Sequence, residues 1–244
     1  MGGSCFAEVL SEHVDLTPNE VSALERLEER NRKLKRGEVL RRSHDTGGEL
    51  FMLRKGTMMT YVILDDGSRQ ILRFHFPGDL LGLSSILYDE APETIGALSE
   101  CTVCPFEKGS LSELIELHPR LASMILVYGQ IERVALTDRL AALGRTSAKA
   151  RIGSLLLELR NRLRATDRLI TDSFVLGLTQ EEVGDATGLT AVHVNRMLRQ
   201  LEEEGLIARD NGRVTIRDEQ SLTRASNYVD RYCGLDLGWL PKGR

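Results

Sequence analysis

Hydrophobic and polar positions change their spacing twice along the chain. Between residues 34 and 108 the apolar runs are short and broken by turn signals. Lys35-Arg36-Gly37-Glu38 precedes Val39-Leu40, Thr46-Gly47-Gly48 precedes Glu49–Arg54, and Lys55-Gly56 ends that run. Met58–Leu64 leads into Asp65-Asp66-Gly67-Ser68, and Gln70–Phe76 leaves it. An Asp-Gly pair between two β-rich runs predicts a hairpin. Pro77-Gly78-Asp79 closes the next strand, Leu80–Leu87 is a short apolar segment, and Glu93–Phe106 returns as one or two strands. Many short strands punctuated in this way predict an antiparallel barrel or jelly-roll-like sandwich.

From residue 110 the spacing becomes helical. Ser110–Leu117 predicts a short helix stopped at His118-Pro119, because the residue before proline resists the α region. Pro119 suits the first position of a second helix, which runs to about Leu143, where Gly144 can close it. This helix carries Leu121, Met124, Tyr128, Ile131, Ala135, Asp138 and Ala142 at alternating spacings of three and four, a coiled-coil-like seam with Asp138 as its polar position. Ile125, Val134, Leu136, Leu140 and Leu143 form a second apolar row. One row can pack on the chain's own barrel while the other meets a twin helix. The expectation assigns Leu121, Met124, Tyr128, Ile131 and Ala135 to a homodimer interface. Residues 146–165 predict a further helix with Ile152, Leu155, Leu156 and Leu159 as its buried stripe, and Thr171–Leu178 a brief strand or loop.

The segment Leu178–Leu201 carries the clearest chemistry. Thr179 and Glu182 form a capping-box pair that starts a helix at Gln180, with Val183 and Ala186 on its inner face. Gly188 fits the left-handed position of a tight turn. Thr190 caps a second helix whose Val194, Leu198 and Leu201 face inward. That leaves Val192, His193, Asn195, Arg196 and Arg199 outward near its start, as in a helix that enters a major groove. Asn211-Gly212 fits a type I′ turn between two short strands, a wing bearing Arg209 and Arg213. Double-stranded DNA is therefore the expected partner. Arg196 can fork onto guanine, Asn195 or His193 can hydrogen-bond an adjacent base, and Val192 can meet a thymine methyl. Thr179, Thr190, Arg199, Arg209 and Arg213 suit phosphates.

Net charge changes the picture only through its distribution. The 244 residues carry −4 overall, yet residues 145–168 hold seven Lys/Arg against two acidic residues, while residues 1–110 hold 13 against 18. The basic stretch could lie along a phosphate backbone, although the ordinary reading of an Arg-rich helix is a solvated face. No run of eighteen apolar residues is present, so no membrane-spanning helix is expected, and the first residues show neither a signal-peptide nor a myristoylation pattern. A cytoplasmic location with reduced cysteines follows as the expectation. Five scattered histidines and the absence of a nucleophile–base order argue against an enzyme. Cys101 and Cys104 would point to opposite faces of a strand as small apolar fillers, so no metal or cofactor is expected. His75, opposite Leu72, Phe74 and Phe76, is placed on an exposed polar face.

Lys35–Glu38, Asp66–Leu72, Pro77-Gly78-Asp79, the helix from Pro119, and above all Leu178–Gly205 with its wing resemble the Crp/Fnr family of bacterial transcription regulators over essentially the whole chain. The resemblance implies an α+β architecture: a β-roll sensor over residues 1–118, a dimerisation helix over 119–143, a winged helix-turn-helix over 145–217 and a tail over 218–244. It further implies a homodimer on a near-palindromic operator, with RNA polymerase as a further partner. In relatives that bind cyclic AMP, Gly-Glu-Leu and a later Arg-Ser/Thr cradle the phosphate. The matching positions here are Leu83 and Ser84, then Glu93 and Thr94. Leu83 stands where the ribose-binding glutamate belongs and Glu93 where the phosphate-pairing arginine belongs, so an effector other than cyclic AMP is expected. The iron–sulfur cysteine set is also missing, and Val192 stands where many relatives carry a cytosine-contacting glutamate.

Overall fold

The computed structural model describes residues 3–242, which divide into two compact units. The first comprises residues 3–62, 73–132 and 234–242, and the second residues 63–72 and 133–233.

The first unit opens with two helices that the spacing of apolar residues did not predict. Helix α1 (Cys5–Ser11) is capped by Ser4, and α2 (Pro18–Leu27) by a capping box of Thr17 and Glu20 with Pro18 in the first turn. Eight strands follow along the chain, with Ile63 of β4 and residues 69–72 of β5 falling in the second unit: β1 (Arg32–Leu34), β2 (Val39–Arg41), β3 (Leu50–Lys55), β4 (Met58–Ile63), β5 (Arg69–His75), β6 (Leu80–Leu81), β7 (Thr94–Ala97) and β8 (Cys101–Phe106). They form two four-stranded sheets, ordered β1-β8-β3-β6 and β2-β7-β4-β5. The first sheet is buried on both faces. Phe51, Leu53, Cys101 and Val103 pack with Leu40, Met58 and Ile95 of the second sheet. Leu50, Met52, Cys104 and Phe106 turn the other way, onto Phe6, Leu24 and Leu114. The strand period of two thus places Cys101 and Cys104 in different cores, as the sequence predicts. Among the described residues no group of His, Cys, Asp and Glu could hold a metal.

Helix α3 (Lys108–Leu117) ends at His118, and α4 (Pro119–Arg145) begins at the proline. Two expectations are corrected here. Leu121, Met124, Tyr128 and Ile131, assigned above to a homodimer interface, are buried inside the first unit, with Leu121 and Met124 in the same core as Phe6 and Leu24. Phe6 meets Tyr128 edge to face at 6.4 Å. The seam that alternates three and four is the intramolecular one. Leu126, Leu136 and Leu140 are the large apolar side chains of α4 left in the open, at 60%, 44% and 72% exposure. His75 is buried rather than on a polar surface, with Thr60 and Asp79 beside its ring. Its Nε2 lies 2.6 Å from Thr60 Oγ1, Arg73 Nε pairs with Glu132 at 2.6 Å, and Tyr128 donates to the wholly buried Asp79. A buried carboxylate of this kind persists only with such donors.

The second unit is built on α5 (Ala148–Thr166), whose Ile152, Leu155, Leu156 and Leu159 are buried. Around it lie β9 (Ser173–Val175), α6 (Gln180–Thr187), α7 (Ala191–Glu203), β10 (Ile207–Asp210), β11 (Arg213–Ile216) and α8 (Glu219–Ser226). The strands form one antiparallel sheet ordered β10-β11-β9. Helix α8, capped by Asp218, lies in the stretch expected to be a tail. After it the chain runs on to Leu240, which is buried in the first unit's core.

Candidate nucleic-acid interface

Helix α6 starts as the capping box predicts: Glu182 N donates to Thr179 Oγ1 at 3.1 Å, and Thr179 N to Glu182 Oε2 at 2.7 Å. Caps of this type contribute about 1 kcal/mol. Gly188 ends the helix at φ 66° and ψ 40°, where a side chain would cost about 1–2 kcal/mol. A second glycine sets how closely the turn can approach. A Cβ on Gly184 would lie 2.4 Å from the Leu189 carbonyl oxygen, so only glycine lets the turn fold back onto α6. That role was legible only in three dimensions.

Thr190 then caps α7 by accepting from His193 N at 3.3 Å. Val194, Met197, Leu198 and Leu201 are buried, and Val192, His193, Arg196 and Arg199 are exposed. Among the described residues, the side chains of His193, Arg196 and Arg199 make no hydrogen bond or ion pair. Val192 is 81% exposed although it sits on a helix with a well-filled core. The two helix starts differ electrostatically. The first turn of α6 carries Glu181 and Glu182, which already answer the partial positive charge there, whereas the first turn of α7 carries no acid. Thr190 thus caps a helix start without acidic residues, and Thr179 one that carries two.

In the wing, Asn211 and Gly212 both have positive φ, 47° and 78°, as a type I′ turn demands. Arg213 is exposed at the turn and makes long contacts of 3.3 and 3.4 Å to Ser173. Arg209 departs from its expected role. Its guanidinium is bonded to Glu202 at 2.6 Å and its amide to the same carboxylate at 3.0 Å, which holds that carboxyl below the usual range. Arg209 fastens the wing to α7 through Glu202.

The basic stretch over 145–168 is also corrected. Arg160 is wholly buried and bonded to Glu219, and Arg162 is buried with its guanidinium 4.2 Å from the Tyr232 ring centroid. Lys149 pairs with Glu204 at 2.6 Å, and Arg151 donates to the Thr187 carbonyl at 2.7 Å. Only Arg145, Arg164 and Arg168 of this stretch are exposed.

In the first unit, Leu83 and Ser84 fall in a short 3₁₀ turn (Leu83–Ile86). Ser84 hydrogen-bonds Glu93, whose carboxyl is pushed up chiefly by burial and drawn back by Arg73. Thr94 is buried and accepts from the Ser43 amide at 3.0 Å. Glu93 and Ser84, from the two stretches singled out in the sequence, thus lie beside each other.

A two-sheet roll followed by a winged helix-turn-helix, whose second helix leaves its first turns without internal partners, defines a DNA-binding transcription regulator. Residues 31–118 match the cyclic nucleotide-binding domain family and residues 150–225 the Crp-like helix-turn-helix domain family. The transcriptional activator protein anr of Pseudomonas aeruginosa is 32% identical over 220 residues, 89% of either chain. The nitrogen fixation regulation protein FixK of Bradyrhizobium diazoefficiens is 33% identical over 183 residues, 75% of this chain and 76% of that one. The structure of FixK2 from Bradyrhizobium japonicum shares the fold, with a TM-score of 0.74 at 24% identity over 82% of this chain and 98% of that one. The chain belongs to the Crp/Fnr family of transcription regulators.

Proposed function

We propose that two copies of this chain bind a near-palindromic operator, each laying α7 in a major groove, with the grooves about one helical turn apart. The observation that carries this reading is the start of α7, where Val192, His193 and Arg196 are exposed beside a helix terminus with no acid of its own. Arg196 takes a guanine edge, Asn195 and His193 the neighbouring base, and Val192 a thymine methyl. Thr190, Arg199 and Arg213 hold phosphates, and RNA polymerase is the further partner in the cytoplasm. The copies meet through the exposed α4 row of Leu126, Leu136 and Leu140. Cyclic AMP is not the effector, because Glu93 would face its phosphate.

Anisotropy of the full chain on labelled genomic duplexes at low salt tests the DNA reading. Saturable binding with preference over scrambled sequence is expected, and no saturable binding overturns it. Sedimentation tests the dimer separately. Leu140→Asp should give folded monomers, and an unchanged dimer would remove this row from the interface.

A further inference from the structure

The second unit contains a cavity of about 400 Å³ on the side of α5 that faces the end of α4 and the stretch following α8. Its size is that of a small-molecule site, and so is its lining, a mostly apolar wall with a few polar groups. Ala142, Leu143, Leu155 and Val229 supply apolar surface. Two acidic residues also line it, and each already has a cation. Asp138 pairs with Arg231 at 2.6 Å, and Glu158 accepts from Arg139 at 2.6 and 2.7 Å. The charge left over is positive, from Arg145 and Arg151.

The donors in this wall are incompletely met. Arg151 gives one N–H to the Thr187 carbonyl, but its Nε is buried without an acceptor. Ser226 is 4% exposed, and its hydroxyl has no partner. Arg145 is exposed and makes no ion pair among the described residues. Buried donors without acceptors cost free energy, and an occupant that brings an acceptor regains it. Gly153 lets α8 pack closely on α5 at this point, since a Cβ there would collide with the Ser226 side chain.

We propose that this cavity binds a small amphipathic carboxylate, its apolar body against the alanine and leucine wall and its carboxylate toward Arg151 and Ser226. Surplus cation selects an anion, the apolar lining selects a body that is not a sugar or nucleotide, and the volume suits a molecule of phenylacetate size or somewhat larger. The occupant would also touch the DNA-binding element. Ala186 and Thr187, at the end of α6, line the same cavity, and Arg151 holds the Thr187 carbonyl just before the Gly188 turn into α7. A carboxylate on Arg151 competes for that guanidinium and alters the support of α7. This second step rests on the DNA-binding reading above, whereas the binding step does not.

Calorimetry on the full chain, without DNA, tests the site with phenylacetate and octanoate against phenylacetamide. At least one carboxylate should bind saturably below about 10 mM, with the neutral amide about tenfold weaker, the loss expected when one charge-assisted hydrogen bond is removed. Ser226→Ala should weaken binding several-fold, and Ala142→Phe, which fills the cavity, should abolish it while circular dichroism and the thermal midpoint stay close to those of the parent. No saturable heat with either carboxylate, equal binding of the amide, or undiminished binding to Ala142→Phe overturns the proposal. Operator affinity measured with and without the carboxylate tests the coupling. Binding without any change in DNA affinity would retain the site and remove its regulatory role, and a chain that binds no DNA at all would still report the site by heat.

Discussion

Helices α5 and α7 are both cationic, yet their cations do opposite things. On α5, Lys149, Arg151, Arg160 and Arg162 are turned into the second unit, onto Glu204, the Thr187 carbonyl, Glu219 and the Tyr232 ring. On α7, Arg196 and Arg199 are exposed beyond a filled inner face, and among the described residues neither side chain makes a hydrogen bond or ion pair, although the charge of Arg199 is felt by Glu202. A long cationic side chain held by a carboxylate at 2.6 Å is unavailable to phosphate unless that pair is broken. The lesson is that a basic run marks an interface only after its partners within the fold have been subtracted. The shorter list on α7 carries more functional weight than the longer one on α5.

Stability should show the largest contrast. Arg160→Ala removes a wholly buried guanidinium that joins α5 to the first turn of α8, leaving the Glu219 carboxylate without its cation. Breaking such a pair costs about 3–5 kcal/mol, toward the lower end here because Glu219 is half exposed. Arg196→Ala should stay within about 0.5 kcal/mol, as exposed substitutions do. Urea midpoints at constant m-value measure both, and equal effects would collapse the distinction between the two helices.

DNA discrimination should reverse the order. Arg196→Ala is expected to cost about 1–3 kcal/mol per half-site against the specific duplex and to relax preference at one base pair. Competition between specific and mutated operators measures it. Equal weakening on every duplex would make Arg196 a phosphate contact and pass base reading to His193 and Asn195.

What the sequence made visible follows from the range of each signal. Caps and turns are local, so Thr179 with Glu182, Gly188, Thr190 and Asn211-Gly212 were readable and fall where expected. The same signal was present at Thr17-Pro18-Asn19-Glu20 and at Asp218, and it starts α2 and α8, which apolar spacing alone did not mark. Long-range pairing was not readable. Nothing near Arg160 announces Glu219, and nothing near His75 announces Thr60, fifteen residues away. On α4 the two apolar rows were both visible, but a period of three and four describes an internal seam as well as an intermolecular one. Only burial tells Leu121 from Leu140.

Acid should separate the helices by a smaller amount. Arg160 holds the Glu219 carboxyl below its usual range, mainly through their hydrogen bond. A carboxyl depressed in the folded state contributes stability that is fully present above its unfolded value, about 4.3, and is lost as pH falls through the lower folded value. The parent protein should therefore lose more stability than Glu219→Gln between about pH 4.5 and pH 3. Parallel urea series at several pH values measure this, and identical slopes would mean that the pair adds nothing pH-dependent.

The smallest effect bears most directly on the comparison of the two helices. Each phosphate neutralised by a cation releases condensed counterions, so losing one contact flattens the plot of log affinity against log salt by about one unit on duplex DNA. Arg199, exposed on α7, should behave this way: Arg199→Ala weakens specific and scrambled duplexes alike and lowers the slope by about one. Lys149 on α5 is the control, since its ammonium is taken up by Glu204 at 2.6 and 2.8 Å. Lys149→Ala should leave the slope unchanged, because the charge it removes never displaced a counterion. The same measurement places Arg209, held by Glu202, with Lys149, and Arg213, exposed at the wing turn, with Arg199. If Lys149→Ala or Arg209→Ala flattened the slope as much as Arg199→Ala, the intramolecular pairs would have to open on DNA. Lys149 or Arg209 would then count as part of the interface after all.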